Sequence, residues 1–233
     1  YWMGKAIPWA FFGVAILGAG ILMGGAWAYE ALSFGGFWAW DPVENSSLVP
    51  WLVLVAGAHL LLINKAKPGT AVTATYLMIA LGFLLVVYST FLTKSGILGD
   101  TSVHSFVDSG ILPQLLGFLL GCCALLCTLI LPPGRERLVF GALQAVLAVG
   151  IAVANPALCT LGLLLVMGLA VLRGHLKNLP RTDTESPIWT REFWMFVGGM
   201  LMFASAVHIS FQTSLPVFNH FLEPFSGWFD RLY

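Results

Sequence analysis

The chain has 233 residues, of which 58% are hydrophobic and only 9% are charged, and its formal net charge is zero. A water-soluble domain carries about 25% charged residues, so this chain cannot cover itself with a polar surface. We therefore expect an integral membrane protein that contacts membrane lipid, and the balanced charge gives no indication of a nucleic-acid partner.

Long apolar runs recur along the chain and predict an all-α, polytopic transmembrane bundle of about six or seven spans, each needing roughly 20 residues to cross the bilayer. The clear runs are 7–27, 48–63, 72–92, 111–131 and 193–211. The run 138–172 is too long for one span and contains Asn155-Pro156, where proline interrupts a helix. Two short spans are the preferred interpretation there, and a re-entrant hairpin is the alternative.

These runs divide the chain into consecutive segments. In order they are a first span within 1–26, a tryptophan-rich segment at 27–47, two spans within 48–92, a loop at 93–110, the remaining spans and their loops at 111–211, and the start of a further domain at 212–233. The chain begins with Tyr1 and has no cleavable signal pattern. It is therefore expected to be an internal piece of a longer protein.

The basic residues predict the orientation of the spans. Most of the 11 Lys and Arg residues fall on one side, namely Lys5, Lys65, Lys67, Arg135, Arg137, Arg173, Lys177, Arg181 and Arg191. The positive-inside rule places that side in the cytoplasm. The tryptophan-rich segment, the 93–110 loop and the 212–233 stretch are then expected to face outward.

Residues 27–47, called here the tryptophan segment, are the strongest candidate for a binding surface. Trp27, Trp38 and Trp40 flank a glycine pair that permits a tight bend. The sequence Asp41-Pro42-Val43-Glu44 then predicts a helix start with an N-cap, an early proline and a capping box. Such a platform suits a flat, apolar, partly charged ligand, and haem fits that description better than a sugar or an ion. An interfacial aromatic belt, with carboxylates that only cap, is the plainer alternative.

Histidine and lysine residues add further candidates. His59 lies inside an apolar run, where an ionisable side chain is costly and suggests metal or haem ligation, although it can also bond a neighbouring helix. His104 lies in the 93–110 loop, where a histidine is usually solvated. Lys94, a basic residue on the outward side, is a candidate partner for a propionate.

The cysteines do not suggest chemistry. All four, Cys122, Cys123, Cys127 and Cys159, fall inside apolar runs, where cysteine packs as a small hydrophobe. Their spacing matches neither zinc binding nor covalent haem attachment. Motifs of hydrolytic or phosphoryl-transfer enzymes are also missing from the sequence.

Three blocks of sequence resemble a known family. WAYEALSFGGFWAWDPVENSSLVPWL at 27–52 is similar to the "WWD" signature of the cytochrome c assembly family of haem-handling membrane proteins. TFLTKSGILGDTSVHSF at 90–106 resembles the family's next block, with Lys94 in place of the more usual arginine. The short Thr190-Arg191-Glu192 resembles an entry found in the larger subfamily, the haem lyase subunit of cytochrome c maturation.

The resemblance implies roles for particular residues. The outward haem-presenting surface would comprise Trp27, Trp38, Trp40, Asp41, Pro42 and Glu44. His104 would ligate the incoming haem, and His59 would hold a resident haem b within the membrane. In the family the second histidine of each site lies outside the segment that this chain covers, and His208 does not match it. Because Asp41 and Glu44 would repel propionates, helix amides or Lys94 would have to attract them.

The implied function is haem ligation at the outer face of the bacterial inner membrane, in support of haem attachment to apocytochrome c. The implied partners are a haem chaperone, apocytochrome c, other maturation subunits and a quinol electron donor. The chain would then be one subunit of a haem lyase rather than a complete enzyme. The alternatives are the smaller subfamily, a stand-alone haem exporter and synthetase, and a non-haem permease in which the tryptophan segment is a gate.

Overall fold

The computed structural model describes residues 2–31, 36–99, 101–102, 104–107, 110–178 and 187–222. Within these ranges the chain is all-α and has no strand, as the composition predicts. The helices are α1 (Trp2–Ala31), α2 (Pro42–Ala66), α3 (Val72–Lys94), α4 (Leu112–Leu129), α5 (Arg135–Val153), α6 (Pro156–Lys177) and α7 (Arg191–Leu222). Each is long and apolar enough to cross a membrane, so the chain is a multi-pass membrane protein.

The ambiguous 138–172 run forms two helices rather than one. The helix α5 ends at Val153, and α6 starts two residues after Ala154, at Pro156. The side chain of Asn155 accepts a hydrogen bond of 3.0 Å from the amide of Leu158, so it caps α6. Proline as the first residue of α6 costs no hydrogen bond, because that amide would have no partner within the helix.

Helix α2 is the centre of the bundle and contacts α1, α3 and α7. In its most apolar stretch 61% of the residues are buried, against 6% in α1. Its inner face contributes Val49, Leu52 and Val53 to a core cluster with Ala206 of α7. The position of α2 therefore bears on the packing of all three neighbouring helices.

Polar contacts from α2 show which parts of α1 and α3 lie beside it. At the start of α2, the hydroxyl of Ser46 lies 2.8 Å from that of Ser89, near the end of α3. The indole of Trp51 donates to the carbonyl of Val14 on α1, at 3.0 Å. We call the end of the bundle formed by the start of α2, the ends of α1 and α3, and the loop after α3 the tryptophan end.

Two helices extend beyond the limits that hydropathy predicts. Helix α1 continues to Ala31, so Trp27 is part of a helix rather than of an irregular segment. Helix α7 continues past residue 211 to Leu222 despite the internal Pro216. The stretch assigned to a further domain at 212–233 is thus helical as far as it is described, and residues 223–233 lie outside the described part.

Close packing of α2 on α3 depends on Gly57. A methyl group added at Gly57 would lie 2.8 Å from the Cδ1 atom of Ile79 and 3.2 Å from the Cβ atom of Met78. We expect Gly57→Ala to destabilise the protein by about 1–3 kcal/mol, because overpacking forces the two helices apart. Thermal unfolding of the detergent-solubilised protein, followed by circular dichroism, measures this loss.

The matched control is Gly117→Ala on α4, where a methyl group would meet nothing within 4 Å. Alanine favours a helix over glycine, so this variant should be as stable as the parent or slightly more so. Equal changes in melting temperature for the two variants would contradict the packing account.

Candidate functional site at the tryptophan end

A cavity of about 440 Å³ lies at the tryptophan end, between α1, the start of α2 and the end of α3. This volume is within the roughly 300–1,000 Å³ range of ligand pockets. Its wall is mainly apolar, and its lining includes Ile16, Leu17, Gly20, Ile21, Gly24, Trp27, Trp38, Val43, Glu44, Val86, Ser89 and His104. Four of the residues singled out in the sequence, Trp27, Trp38, Glu44 and His104, thus line one cavity.

The start of α2 has the geometry that its sequence predicts. The carboxylate of Asp41 accepts a hydrogen bond of 2.8 Å from the amide of Val43, and Pro42 is the first helical residue. One carboxylate oxygen of Glu44 accepts from the amides of Ala39, at 2.9 Å, and Asp41, at 3.1 Å. This is a complete capping box, so both carboxylates have a structural role.

The same aspartate also ties down the loop after α3. The hydroxyl of Ser102 donates to Oδ1 of Asp41 at 2.7 Å and accepts from the amide of His104 at 3.1 Å. The ring nitrogen Nδ1 of His104 lies 3.3 Å from the same Oδ1 atom. The start of α2 and the loop carrying His104 therefore form one connected polar unit.

Two buried polar atoms at this cavity have no hydrogen-bond partner. They are Nε1 of Trp38 and Nδ1 of His104. The His104 contact with Asp41 is close enough for an ion pair, but Oδ1 already accepts from Val43 and Ser102, and no aligned hydrogen bond forms. The indole N–H is an unpaired buried donor, which is costly and suggests a site that a ligand completes.

The tryptophan segment is held against α1 by a glycine contact. A methyl group added at Gly25 would lie 2.6 Å from the ring of Phe37 and 2.9 Å from its carbonyl oxygen. Gly36 has φ of 63°, a left-handed conformation that glycine adopts easily, while Gly35 lies outside the described residues. The predicted bend is thus present at Gly36, and it brings Trp38 back over α1.

Trp40 does not line this cavity. Its ring packs edge-on against Trp38, with centroids 6.1 Å apart, and its backbone has φ of 57°, which is uncommon for a non-glycine residue. The side-chain amide of Asn45 donates to the Trp40 carbonyl at 3.0 Å and holds this turn. Trp40 instead borders a second cavity of about 760 Å³ on the other side of α2, with His208 and Gln212 of α7.

Lys94 is also directed away from the cavity. Its ammonium group lies 3.2 Å from the centroid of the Phe106 ring, a cation–π contact. The amide of Val43 is occupied by the cap. Neither of the expected attractions for a propionate, Lys94 or the helix amides, is therefore found in the cavity lining.

His59 lies apart from these residues, in the other half of α2. At 1.5 Å per residue it is about 26 Å from Pro42 along the helix axis. Its Nδ1 atom lies 2.8 Å from the carbonyl oxygen of Val55, one turn earlier, and its Cβ faces Gly199 of α7. The neighbouring Gly57 packs against Ile79 and Met78 of α3.

Sequence reasoning did not single out Ser102, Gly25, Phe37 or Ser89. Ser102 is 7% exposed and joins Asp41 to His104, yet serine is common in loops and its spacing from Asp41 gives no local signal. Gly25 and Phe37 make one contact from two elements, so neither residue is informative without the other. The available signal was the expectation that the 93–110 loop and the tryptophan segment both face outward.

The fold and this site define a multi-pass membrane protein with an aromatic, histidine-bearing cavity at one end of its bundle. Residues 2–98 match the family model described as Cytochrome C assembly protein, which confirms the resemblance found in the sequence. The chain is similar to cytochrome c-type biogenesis proteins named CcmF. It is 44% identical to those of Pseudomonas aeruginosa and Haemophilus influenzae, over 107 residues in each case.

A longer match covers more of the chain at lower identity. The CcmF protein of Escherichia coli is 30% identical over 210 residues, which is 90% of this chain and 26% of that protein. The two 44% matches cover 46% of this chain and 16% of each relative. The chain thus spans only a minor part of the relatives' length. No solved structure matches it significantly.

The anchoring role of Ser102 can be tested through the accessibility of His104. Ser102→Ala removes the hydroxyl that joins Asp41 to the loop, so the loop should open and His104 should react several-fold faster with diethyl pyrocarbonate. Modification rates at individual histidines are measured by peptide mass spectrometry. Ser105→Ala is the matched control, because the Ser105 hydroxyl makes only a 3.3 Å contact to the Ser102 carbonyl. Equal rates in both variants would contradict the anchoring role.

Proposed function

We propose that the chain is a haem-handling part of a cytochrome c biogenesis protein, and that the cavity at the tryptophan end receives haem. The observation that carries this proposal is the meeting of Trp27 and Trp38 with His104 in one apolar cavity. A planar, largely apolar ligand with a metal centre needs flat aromatic walls and one nitrogen ligand. The similarity to CcmF proteins supports the same conclusion.

The residues present fit such a group. Gly20 and Gly24 give the α1 wall a flat surface, because methyl groups added there would meet nothing within 4 Å. The unpaired indole N–H of Trp38 is a donor for a ligand atom. Haem, when bound, would supply the iron for His104 and the vinyl groups that become attached to the thiols of apocytochrome c.

The charges at the cavity indicate where the propionates of the haem would lie. Glu44 is the charged residue of the lining, and Lys94 is engaged with Phe106. An ionised propionate beside Glu44 would be repelled. We infer that the propionates lie away from Glu44 and that the unpaired N–H of Trp38 is available to donate to one of them.

His59 is proposed to hold a second, resident haem b inside the membrane. Its Nδ1 contact with the Val55 carbonyl leaves Nε2 as the nitrogen available to iron. When bound there, haem would supply redox chemistry within the membrane, with a quinol as the expected electron donor and the outer haem as the expected acceptor. His59 lies about 26 Å along α2 from Pro42 at the tryptophan end, so His59 and His104 would belong to two separate sites.

The basic residues support a bacterial inner-membrane location with the tryptophan end towards the periplasm. Lys65, Arg135, Arg137, Arg173 and Lys177 lie at the opposite end of the bundle, which the positive-inside rule assigns to the cytoplasm. The cavity would then face the compartment that contains its proposed partners, a haem chaperone and apocytochrome c. Other cytochrome c maturation subunits would complete the haem lyase.

Histidine variants test the two proposed sites. In the purified full-length protein we expect His59→Ala to lose a reducible b-type absorption signal. His104→Ala should keep that signal but fail to support cytochrome c maturation. His175→Ala, an exposed residue at the end of α6, is the matched control and should behave like the parent. Parental spectra and maturation in both test variants would contradict the ligand assignments.

Trp38→Phe tests the contact of the indole with haem. Phenylalanine keeps an aromatic wall but removes the unpaired N–H, so affinity for added haem should fall by up to about tenfold, equivalent to one hydrogen bond. Haem titration followed by absorbance measures the change. Trp9→Phe, on the exposed face of α1, is the control. The idea fails if Trp38→Phe binds haem as tightly as this control.

A further inference from the structure

The two ring nitrogens of His104 lie in different surroundings. Nδ1 is buried and lies 3.3 Å from Oδ1 of Asp41. The side chain as a whole keeps 25% of its surface exposed, and it lines the cavity. Since Nδ1 is the buried nitrogen, Nε2 is the nitrogen open to a ligand.

Asp41 cannot easily move away from His104. Its side chain is only 10% exposed, and the oxygen that faces Nδ1 also accepts from the Val43 amide and the Ser102 hydroxyl. The backbone amide of His104 is held in turn by Ser102. Hydrogen bonds to the Asp41 carboxylate and to the His104 backbone therefore hold the carboxylate and the imidazole next to each other.

A carboxylate beside one imidazole nitrogen determines where the proton of a neutral histidine resides. An ionised carboxylate has no proton to donate, and its charge 3.3 Å from Nδ1 favours the imidazole form with the proton on Nδ1. The proton on Nδ1 leaves the lone pair on Nε2 for a metal ion. Carboxylates in this position orient ligating histidines and raise their basicity in many metal sites.

We propose that Asp41 is a positioning residue for His104, which it holds in the Nδ1–H form with Nε2 directed to the ligand cavity. Ser102 is the second positioning residue, because it links Asp41 to the His104 backbone. The identity of the ligand as haem rests on the proposed function, whereas the position of the proton on the imidazole does not depend on it. Asp41 thus both caps α2 and prepares the loop histidine for binding.

The proton position can be measured without any haem. The full-length protein is labelled with ¹⁵N-histidine, and its ¹⁵N spectrum is recorded at a pH where histidine is neutral. His104→Ala identifies the His104 signals. We expect the parent to have the proton on Nδ1, and Asp41→Ser to shift it towards Nε2, the form that free histidine prefers. Serine is an equally good N-cap, so α2 should stay intact.

Two further variants separate the effect of the Asp41 contact on the His104 tautomer from the effect of negative charge near the start of α2. Asp41→Asn keeps an acceptor oxygen and the cap, so it should restore the Nδ1–H form that Asp41→Ser loses. Glu44→Gln removes one negative charge from the same turn of α2 without touching His104, and it should leave the tautomer unchanged. An Nε2–H imidazole in the parent, or equal shifts in Asp41→Ser and Glu44→Gln, would overturn the proposal.

Added haem then distinguishes this inference from the proposed function. If haem binds at His104, its signals should be lost, and the reduction potential of the bound haem should rise in Asp41→Asn, because the neutral amide makes the imidazole a weaker donor. Haem binding with the same potential in both proteins would overturn the positioning role. Unperturbed His104 signals with a retained Asp41-dependent tautomer would overturn the haem assignment alone.

Discussion

The carboxylate of Asp41 is the contact on which the tryptophan end depends. It caps the central helix α2, accepts the hydroxyl of Ser102 and faces the ring of His104. Removing it would leave helix amides unpaired and free the loop after α3. Because α2 contacts α1, α3 and α7, a shift in its first turn would alter the cavity and its surrounding helices together.

The cavity itself results from an imbalance in side-chain size. Glycines on α1 have no side chains to fill the space beside the helix, whereas Trp27, Trp38 and Phe37 around that space are large. Gly25 lets the tryptophan segment approach α1, and Gly20 and Gly24 leave the remaining space unfilled. Where such a gap stays empty, dispersion contacts are lost along its wall. A gap lined by aromatic rings and glycines, beside a histidine that is held in place, is more consistent with a binding site than with a packing defect.

The sequence was informative where one local pattern determines the outcome. Apolar length predicted the spans, and Asp41-Pro42-Val43-Glu44 predicted the cap, because both depend on residues a few positions apart. Contacts between distant residues were not predictable in this way. The turn of Trp40 to the other side of α2 depends on Asn45, and the withdrawal of Lys94 depends on Phe106. The continuation of α7 past residue 211 was missed because the final turns are less apolar, although Tyr88 donates to Ser214 in this part of the helix at 2.7 Å.

We propose above all that the cavity between α1, α2 and the loop after α3 binds haem through His104. Cryo-electron microscopy of the full-length protein with added haem tests it most directly. The account predicts planar density between Trp27 and Trp38, with the iron bonded to Nε2 of His104 and the propionates directed away from Glu44. Haem density at another position, or an empty cavity under saturating haem, would contradict it.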